Sequence, residues 1–232
     1  MAKAKEVTQE TQFDKIKKTK ITADLIGTGE LILNKKCRSY ELPEIWKQTH
    51  PKGSEMPASL RQGFNLWEHL ITSLHWRDPI IFHDDDWSLY TEEELKYYLE
   101  NNAPCIKSYA LIGSMKEAFI SLGYKDSTGK NGSDITRAVS ATAEKFPITF
   151  AEAHYEQKLI PTAGKSKTNV VGQYNVFSGW KTTVELVCAN VVLPKETLVS
   201  LLIATGEFIG IGTQRKNGYG HFTVDNVRCT EI

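Results

Sequence analysis

A short run near the C-terminus carries the chemistry that this sequence offers most openly: Gly210-Ile211-Gly212-Thr213-Gln214-Arg215-Lys216-Asn217-Gly218-Tyr219-Gly220. Glycine admits positive φ and lets main-chain N–H groups approach an anion, and Arg215 and Lys216 set positive charge beside them. His221 follows directly and is a further candidate phosphate contact. The run lies after a helical pattern (Pro194 to Glu207) and before a strand pattern (His221 to Val227). A dinucleotide fingerprint has the opposite order, strand then loop then helix, so that reading is excluded. The incoming helix points its partially negative end at the loop, so amides and basic pair must hold a phosphate against that dipole. A glycine-stopped helix followed by a plain turn is the alternative reading of the same residues.

A second candidate lies upstream. Lys158, Lys165, Lys167 and Lys181 bound a glycine-punctuated stretch without a single acid, and Tyr174 and Phe177 lie among them. Phosphate-seeking charge interleaved with aromatic surfaces suits a single strand. His83-Asp84-Asp85-Asp86 offers clustered oxygens of the kind Mg²⁺ takes, but consecutive residues rarely converge on one ion. A solvated acidic loop before a capped helix is the competing reading. Of the histidines, His69 and His75 stand near Trp67 and Trp76 and read as packing residues, while His83, His154 and His221 are the ones an acid–base mechanism would draw on. No hydrolase or metalloprotease signature occurs, and Cys37, Cys105, Cys188 and Cys229 are scattered like reduced thiols. No metal and no cofactor is expected.

The glycine run, written G-h-G, five residues including Arg and Lys, then G-x-G, resembles the glycine-rich loop of the RAMP superfamily, the RNA-binding and RNA-processing subunits of CRISPR effector complexes. Lys107 to Ala118 (KSYALIGSMKEA) is similar to the P-G-S-S-L-K-G-A-L-R-E-A segment of that family, departing where Lys107, Ser108 and Ile112 replace Pro, Gly and Lys. The resemblance implies a ferredoxin-like unit whose loop lies near RNA between last helix and last strand, and a hairpin that lies across the strand as a thumb. Lys216 to Val224 (KNGYGHFTV) also resembles, one residue out of phase, the aromatic stacking strand of RRM domains.

The elements that must position these residues follow from periodicity. Residues 1–12 are polar and aperiodic and read as a flexible tail. Ile16 to Leu33 alternates as a first strand, bent at Gly27-Thr28-Gly29. Residues 35–104 form a Trp-rich insertion with helical stretches at Leu42, Leu60 to Leu74 and, behind the Thr91–Glu94 capping box, to about Glu100. Ser108 to Leu122 is an amphipathic helix with Leu111, Ile112, Met115, Ala118, Phe119 and Leu122 inward. Strands follow at Phe146 to Ile160 and Trp180 to Leu193, joined by the 158–181 hairpin; then a helix, the 210–220 loop and a last strand. The fold expected is α+β: a β-α-β-β-α-β ferredoxin-like (RRM-like) unit spanning 13–232, with a large helical insertion after the first strand and a long hairpin between strands two and three.

The chain is long enough for a sizeable core at 232 residues, and its zero net charge counts against a dedicated nucleic-acid binder. The charge is nevertheless segregated: residues 1–40 sum to +4, 41–100 to −7 and 101–232 to +3. The absence of a membrane-length apolar run and of a signal-peptide core points to the cytoplasm. The expected function is a non-catalytic clamp for single-stranded RNA (or DNA) using Gly210, Gly212, Arg215, Lys216, Gly218, Gly220, His221 and the hairpin lysines, within an array of its own copies or other effector subunits. Its compact size would also suit a relative carried by a phage or plasmid. Two other readings stay open: a metal-independent ribonuclease using His83, His154 or His221, and a protein-interaction decoy that keeps the RAMP-like fold.

Overall fold

Alternation of apolar and polar residues builds β1 (Lys18–Gly27), with Thr19, Ile21, Ala23 and Leu25 turned into the core. It pairs antiparallel with β8 (Lys181–Ala189) on one side and β9 (Phe222–Glu231) on the other. With β4 (Val139–Ala141) outside β8, these make a four-stranded sheet in the order β4-β8-β1-β9. Helix α5 (Ser108–Ser121) precedes β4, and α6 (Lys195–Ala204) connects β8 to β9. Leu111, Met115 and Phe119 of α5 and Leu198, Leu201 and Leu202 of α6 join the buried strand residues in the main apolar cluster. The fold is thus α+β with antiparallel sheets. The computed structural model describes residues 17–61, 64–83, 86–123, 135, 137–161, 169–190 and 193–232. The expected tail, Asp84, Asp85, Lys165 and Lys167 lie outside them.

The chain does not run from β1 into a single bent strand. It crosses Trp180 and enters β2 (Leu31–Leu33), which belongs to a second sheet ordered β2-β7-β6, with β6 Glu152–Pro161 and β7 Asn169–Ser178. The crossing needs glycine: a Cβ on Gly27 would sit 2.2 Å from the indole nitrogen of Trp180, which donates instead to the Gly29 carbonyl at 3.0 Å. The strand expected over 146–160 is likewise two pieces. Lys145–Pro147 (β5) pairs with Cys105–Lys107 (β3), and β6 pairs with β7. The place beside β8 goes to the short β4, from a segment in which no strand was expected.

The insertion carries α1 (Leu42–Thr49), α2 (Ala58–Arg61), α3 (Leu66–Thr72) and α4 (Glu92–Asn101). The Thr91–Glu94 capping box forms as expected. Leu70, Ile71, Leu74, Trp76, Tyr90 and Leu95 belong to the same apolar cluster as the four-stranded sheet, so the insertion packs on the rest of the chain. Asn175 of β7 donates to the Leu70 carbonyl and to Ser73, tying α3 to the second sheet. Two inward expectations for α5 differ: Ile112 is half-buried and Leu122 lies at the exposed helix end. Gly123, at φ +66°, stops the helix there.

Candidate nucleic-acid interface

Helix α6 runs into one π turn, Thr205–Ile209, and ends at Gly210 with φ +73°, whose amide donates to the Thr205 carbonyl at 2.7 Å. Fully buried Ile211 then anchors the loop, and its amide donates to the Gly220 carbonyl at 2.9 Å. The Gly220 amide donates to the Glu30 carbonyl at 2.8 Å, and that of Thr213 to the Ile32 carbonyl at 3.0 Å. The loop is therefore laced to the β1–β2 crossing. A Cβ on Gly220 would lie 1.8 Å from the Ile211 oxygen, and one on Gly212 2.4 Å from the Ile32 oxygen. Gly218 differs: at φ +88° it needs the left-handed region, but nothing lies within 4 Å of its missing Cβ.

The amides of Gly210, Gly218 and Gly220 thus all donate within the protein. The amides of Gly212 and Tyr219 and three consecutive ones between them have no backbone partner among the described residues. Gln214 adopts φ 59°, ψ 24°, and Arg215–Asn217 continue as a 3-10 turn. A left-handed residue followed by right-handed ones turns successive N–H groups toward one side, which makes an anion-sized concavity. Among the described residues, the amides of Gln214, Arg215 and Lys216 make no backbone hydrogen bond. A left-handed conformation at a non-glycine costs about 1–2 kcal/mol. The Gln214 side chain holds it, donating to the Tyr174 hydroxyl at 3.1 Å and accepting from Asn217 at 2.7 Å.

The two basic residues are placed differently. Arg215 reaches back to α5, donating to Ser114 Oγ at 3.0 Å and pairing with Glu117 at 2.9 Å. Lys216 is exposed. Together with Gly212, Thr213, Gln214, Glu117, Phe208 and Ile209 they line an open cleft of about 530 Å³. Phe208 is 58% exposed and is the aromatic surface of this cleft. Neither it nor Gln214, Ser114 and Glu117 stood out in the sequence, because nothing in their local spacing reports a contact made across the fold.

The hairpin differs from its expectation. Tyr174 and Phe177 are 6% and 1% exposed, packed inward, so no base can stack on them. Phe177 lies opposite Leu31, and Tyr174 clusters with Ile32, Val176 and Tyr219. The exposed hairpin aromatic is Tyr155, edge-on to Trp67 of α3. Lys158 lies over the Tyr219 ring at 4.1 Å, contacts its hydroxyl, and pairs with Glu156 at 2.6 Å, which ties hairpin to glycine loop. Hydrogen bonds from Lys158 and His154 and their charge hold the Glu156 carboxyl below its usual range. Lys181 starts β8, paired opposite Ile26, and is not part of the β6–β7 hairpin.

The histidines have partners that sequence could not supply. His221 Nδ1 donates to the carbonyls of Gly206 and Glu207 at 3.1 and 3.0 Å, and the residue is half-buried. His154 lies 3.5 Å from Glu156 and 3.9 Å from Glu30. His83 meets Glu94 at 2.7 Å and packs edge-on to Tyr90. His69 is buried between the Cys37 thiol and the Gln173 carbonyl, and burial holds its pKa down. Among the described residues no three His, Cys, Asp or Glu side chains converge as a metal site, and no helix is long and apolar enough to cross a membrane. Asp86 accepts from the Ser88 amide as a turn residue.

Fold and loop together define an α+β protein with a glycine-rich loop between its last helix and last strand. No family model and no curated protein matches the chain. Among solved structures, the crystal structure of Cmr6 from Pyrococcus furiosus is similar at 11% identity, covering 89% of this chain and 98% of that chain, with a TM-score of 0.42.

Proposed function

We propose that this protein binds single-stranded nucleic acid, RNA foremost, by holding backbone phosphates at the glycine loop without cleaving them, as one subunit of a larger assembly. The observation that carries the reading is the run of amides at Gln214, Arg215 and Lys216 without a backbone partner, in residues that line an open cleft beside the exposed side chain of Lys216. Gly210, Gly212 and Gly220 act by permitting close backbone approach, and Arg215 braces the loop against α5. Lys158 joins the hairpin to the same face through Tyr219. Lys165 and Lys167, outside the described residues, would add charge from the sequence between β6 and β7, Lys181 from the start of β8 and His221 from the end of the glycine loop.

Within the same proposal, β1, α5, β4, β8, α6 and β9 form a ferredoxin-like unit of the RAMP kind. The sheet order β4-β8-β1-β9, with a helix after its first and third members in sequence, supports that topology. Residues 13–232 act as one domain, a reading supported by the apolar cluster that insertion and sheet share.

Fluorescence anisotropy with labelled single-stranded RNA and DNA across a salt series tests the reading. Wild type should bind RNA with log K falling steeply as log salt rises, and Lys216→Ala should flatten that slope by about 0.7. The RNA should stay intact on a denaturing gel. Absence of binding at low salt overturns the reading in favour of a protein partner.

A further inference from the structure

Strand β9 ends the four-stranded sheet, and among the described residues no strand pairs with its outer edge. Hydrogen bonds at its two ends fix which way its main chain faces. Lys18 and Ile232 exchange both of their main-chain bonds, at 3.1 and 2.9 Å, and Thr28 donates to the His221 carbonyl at 3.0 Å. In an antiparallel ladder, alternate residues bond the partner strand and those between turn their N–H and C=O away from it. Thr223 lies opposite Ile26 and Asp225 opposite Asp24, in phase with His221, so Phe222 and Val224 face the open edge. Cys229 and Glu231 do the same beyond the bulge, in phase with Ile232.

The two halves of this edge differ. Asn226, at φ 51°, sits in the bulge, and Asp225, Arg228 and Glu231 stand exposed around it. Bulges and charges keep an edge from pairing with its like, which argues against a second β9 as the partner. Before the bulge, the edge meets the end of α6 instead. A Cβ on Gly206 would lie 2.2 Å from the Phe222 oxygen, so the π turn closes the edge at that residue. Beside it, Ile203, Phe222 and Val224 line a groove of about 550 Å³ between helix and strand, and Ile203 is 45% exposed. Glu207 is the acidic residue of the lining, and the C-terminal end of the helix adds partial negative charge beside it. His221, also in the lining, already commits Nδ1 to the Gly206 and Glu207 carbonyls.

We propose that this groove takes an extended peptide of a protein partner, laid as an added strand against the Val224 edge. An apolar side chain of the peptide enters between Ile203 and Val224, and a lysine or arginine next to it meets Glu207. In such additions the main-chain bonds to the edge give affinity and the pocket for a side chain gives specificity. The groove shares no lining residue with the cleft at Lys216, so a peptide here and a phosphate there bind independently.

The probe is a fluorescein-labelled hexapeptide of alternating lysine and valine. Anisotropy should show saturable binding with a Kd below about 1 mM, and the same peptide with N-methylated amides, or with glutamate for lysine, should bind roughly tenfold more weakly. Ile203→Glu, at an exposed helix position, should cost a similar, roughly tenfold loss of peptide affinity and leave RNA affinity unchanged. Val224→Pro removes an N–H that faces away from β1, a place where an edge strand accepts proline, and should weaken the peptide likewise. Hydrogen exchange followed by NMR reads the edge directly. In the free protein the Val224 amide should exchange faster than that of Thr223, and saturating peptide should slow it by roughly tenfold or more. No binding at about 1 mM, equal binding of the N-methylated peptide, or a Val224 amide already as protected as that of Thr223 overturns the proposal. Failure of wild type to bind RNA, with the peptide still bound, sinks the glycine-loop reading alone.

Discussion

The glycine loop and the β6–β7 hairpin look alike as sequence, each basic, glycine-punctuated and carrying aromatic residues, but the fold treats them in opposite ways. In the loop, glycines bring backbone against backbone and leave Lys216 exposed and the amides of Gln214, Arg215 and Lys216 without a backbone partner. In the hairpin, Tyr174 and Phe177 turn inward and Lys158 is already engaged by Glu156 and Tyr219. Composition marks a region as able to meet a polyanion. Which groups remain to do so depends on what the rest of the molecule has already taken.

The largest expected effect breaks the loop side of this comparison. Gly220→Ala places a methyl 1.8 Å from a main-chain oxygen at φ +75° and should destabilise by more than about 3 kcal/mol in urea unfolding. Gly218→Ala, with open space around it, should cost only about 1 kcal/mol, the left-handed penalty alone. Equal costs would mean that the loop is not laced to the β1–β2 crossing.

Next in size is the hairpin. Phe177→Ala removes a fully buried ring and should cost about 3–5 kcal/mol. Where the variant remains folded, RNA affinity should be unchanged. A selective loss of RNA binding with native stability would restore the stacking role that burial argues against.

A pH effect sharpens the contrast between buried and exposed charge. His75 has a folded pKa near 4, below its unfolded value, so between those two the unfolded chain binds the extra proton. Stability should therefore rise with pH across that window, be fully present above about 6.5 and be lost as pH falls toward 4. Buried His69, lowered by desolvation, contributes with the same sign. Unfolding midpoints of His75→Gln measured from neutral to acid pH should show a shallower decline than wild type.

The smallest effect concerns the tie between the two regions. Tyr219→Phe keeps the ring under Lys158 but removes the hydroxyl, and should cost under about 1 kcal/mol while moving RNA affinity less than Lys216→Ala does. A larger loss of affinity than from Lys216→Ala would place the strand on the hairpin side.

Much of the local structure was legible because its causes are local. Thr91 and Glu94 are three apart and reciprocally cap α4; Gly123 follows the last turn of α5; alternation in Lys18–Gly27 and Lys181–Ala189 marks two central strands. The candidate loop stood out for the same reason, since glycine density at 210–220 reports positive φ. Strand partnership was less legible. The segment over 146–160 reads as one strand by period, yet its halves pair with β3 and β7, and the short Val139–Ala141 occupies the place beside β8. Side-chain alternation reports that a segment is extended, not which edge it joins.

By itself, then, the sequence determined the α+β class, the capped and glycine-stopped helices, and the positive-φ character of the glycine run, because propensity, capping and handedness are properties of neighbours along the chain. The tertiary structure alone decided that the amides of Gly210, Gly218 and Gly220 donate within the protein, that those of Gln214 to Lys216 have no backbone partner, and that Arg215 pairs with Glu117. It also set Lys107 opposite Lys145 and tied Cys105 to the His75 carbonyl and Lys35 to that of Ser73. Those groups are far apart in sequence, and only the packing of sheets and helices sets which charges and donors end up close enough to satisfy, or to repel, one another.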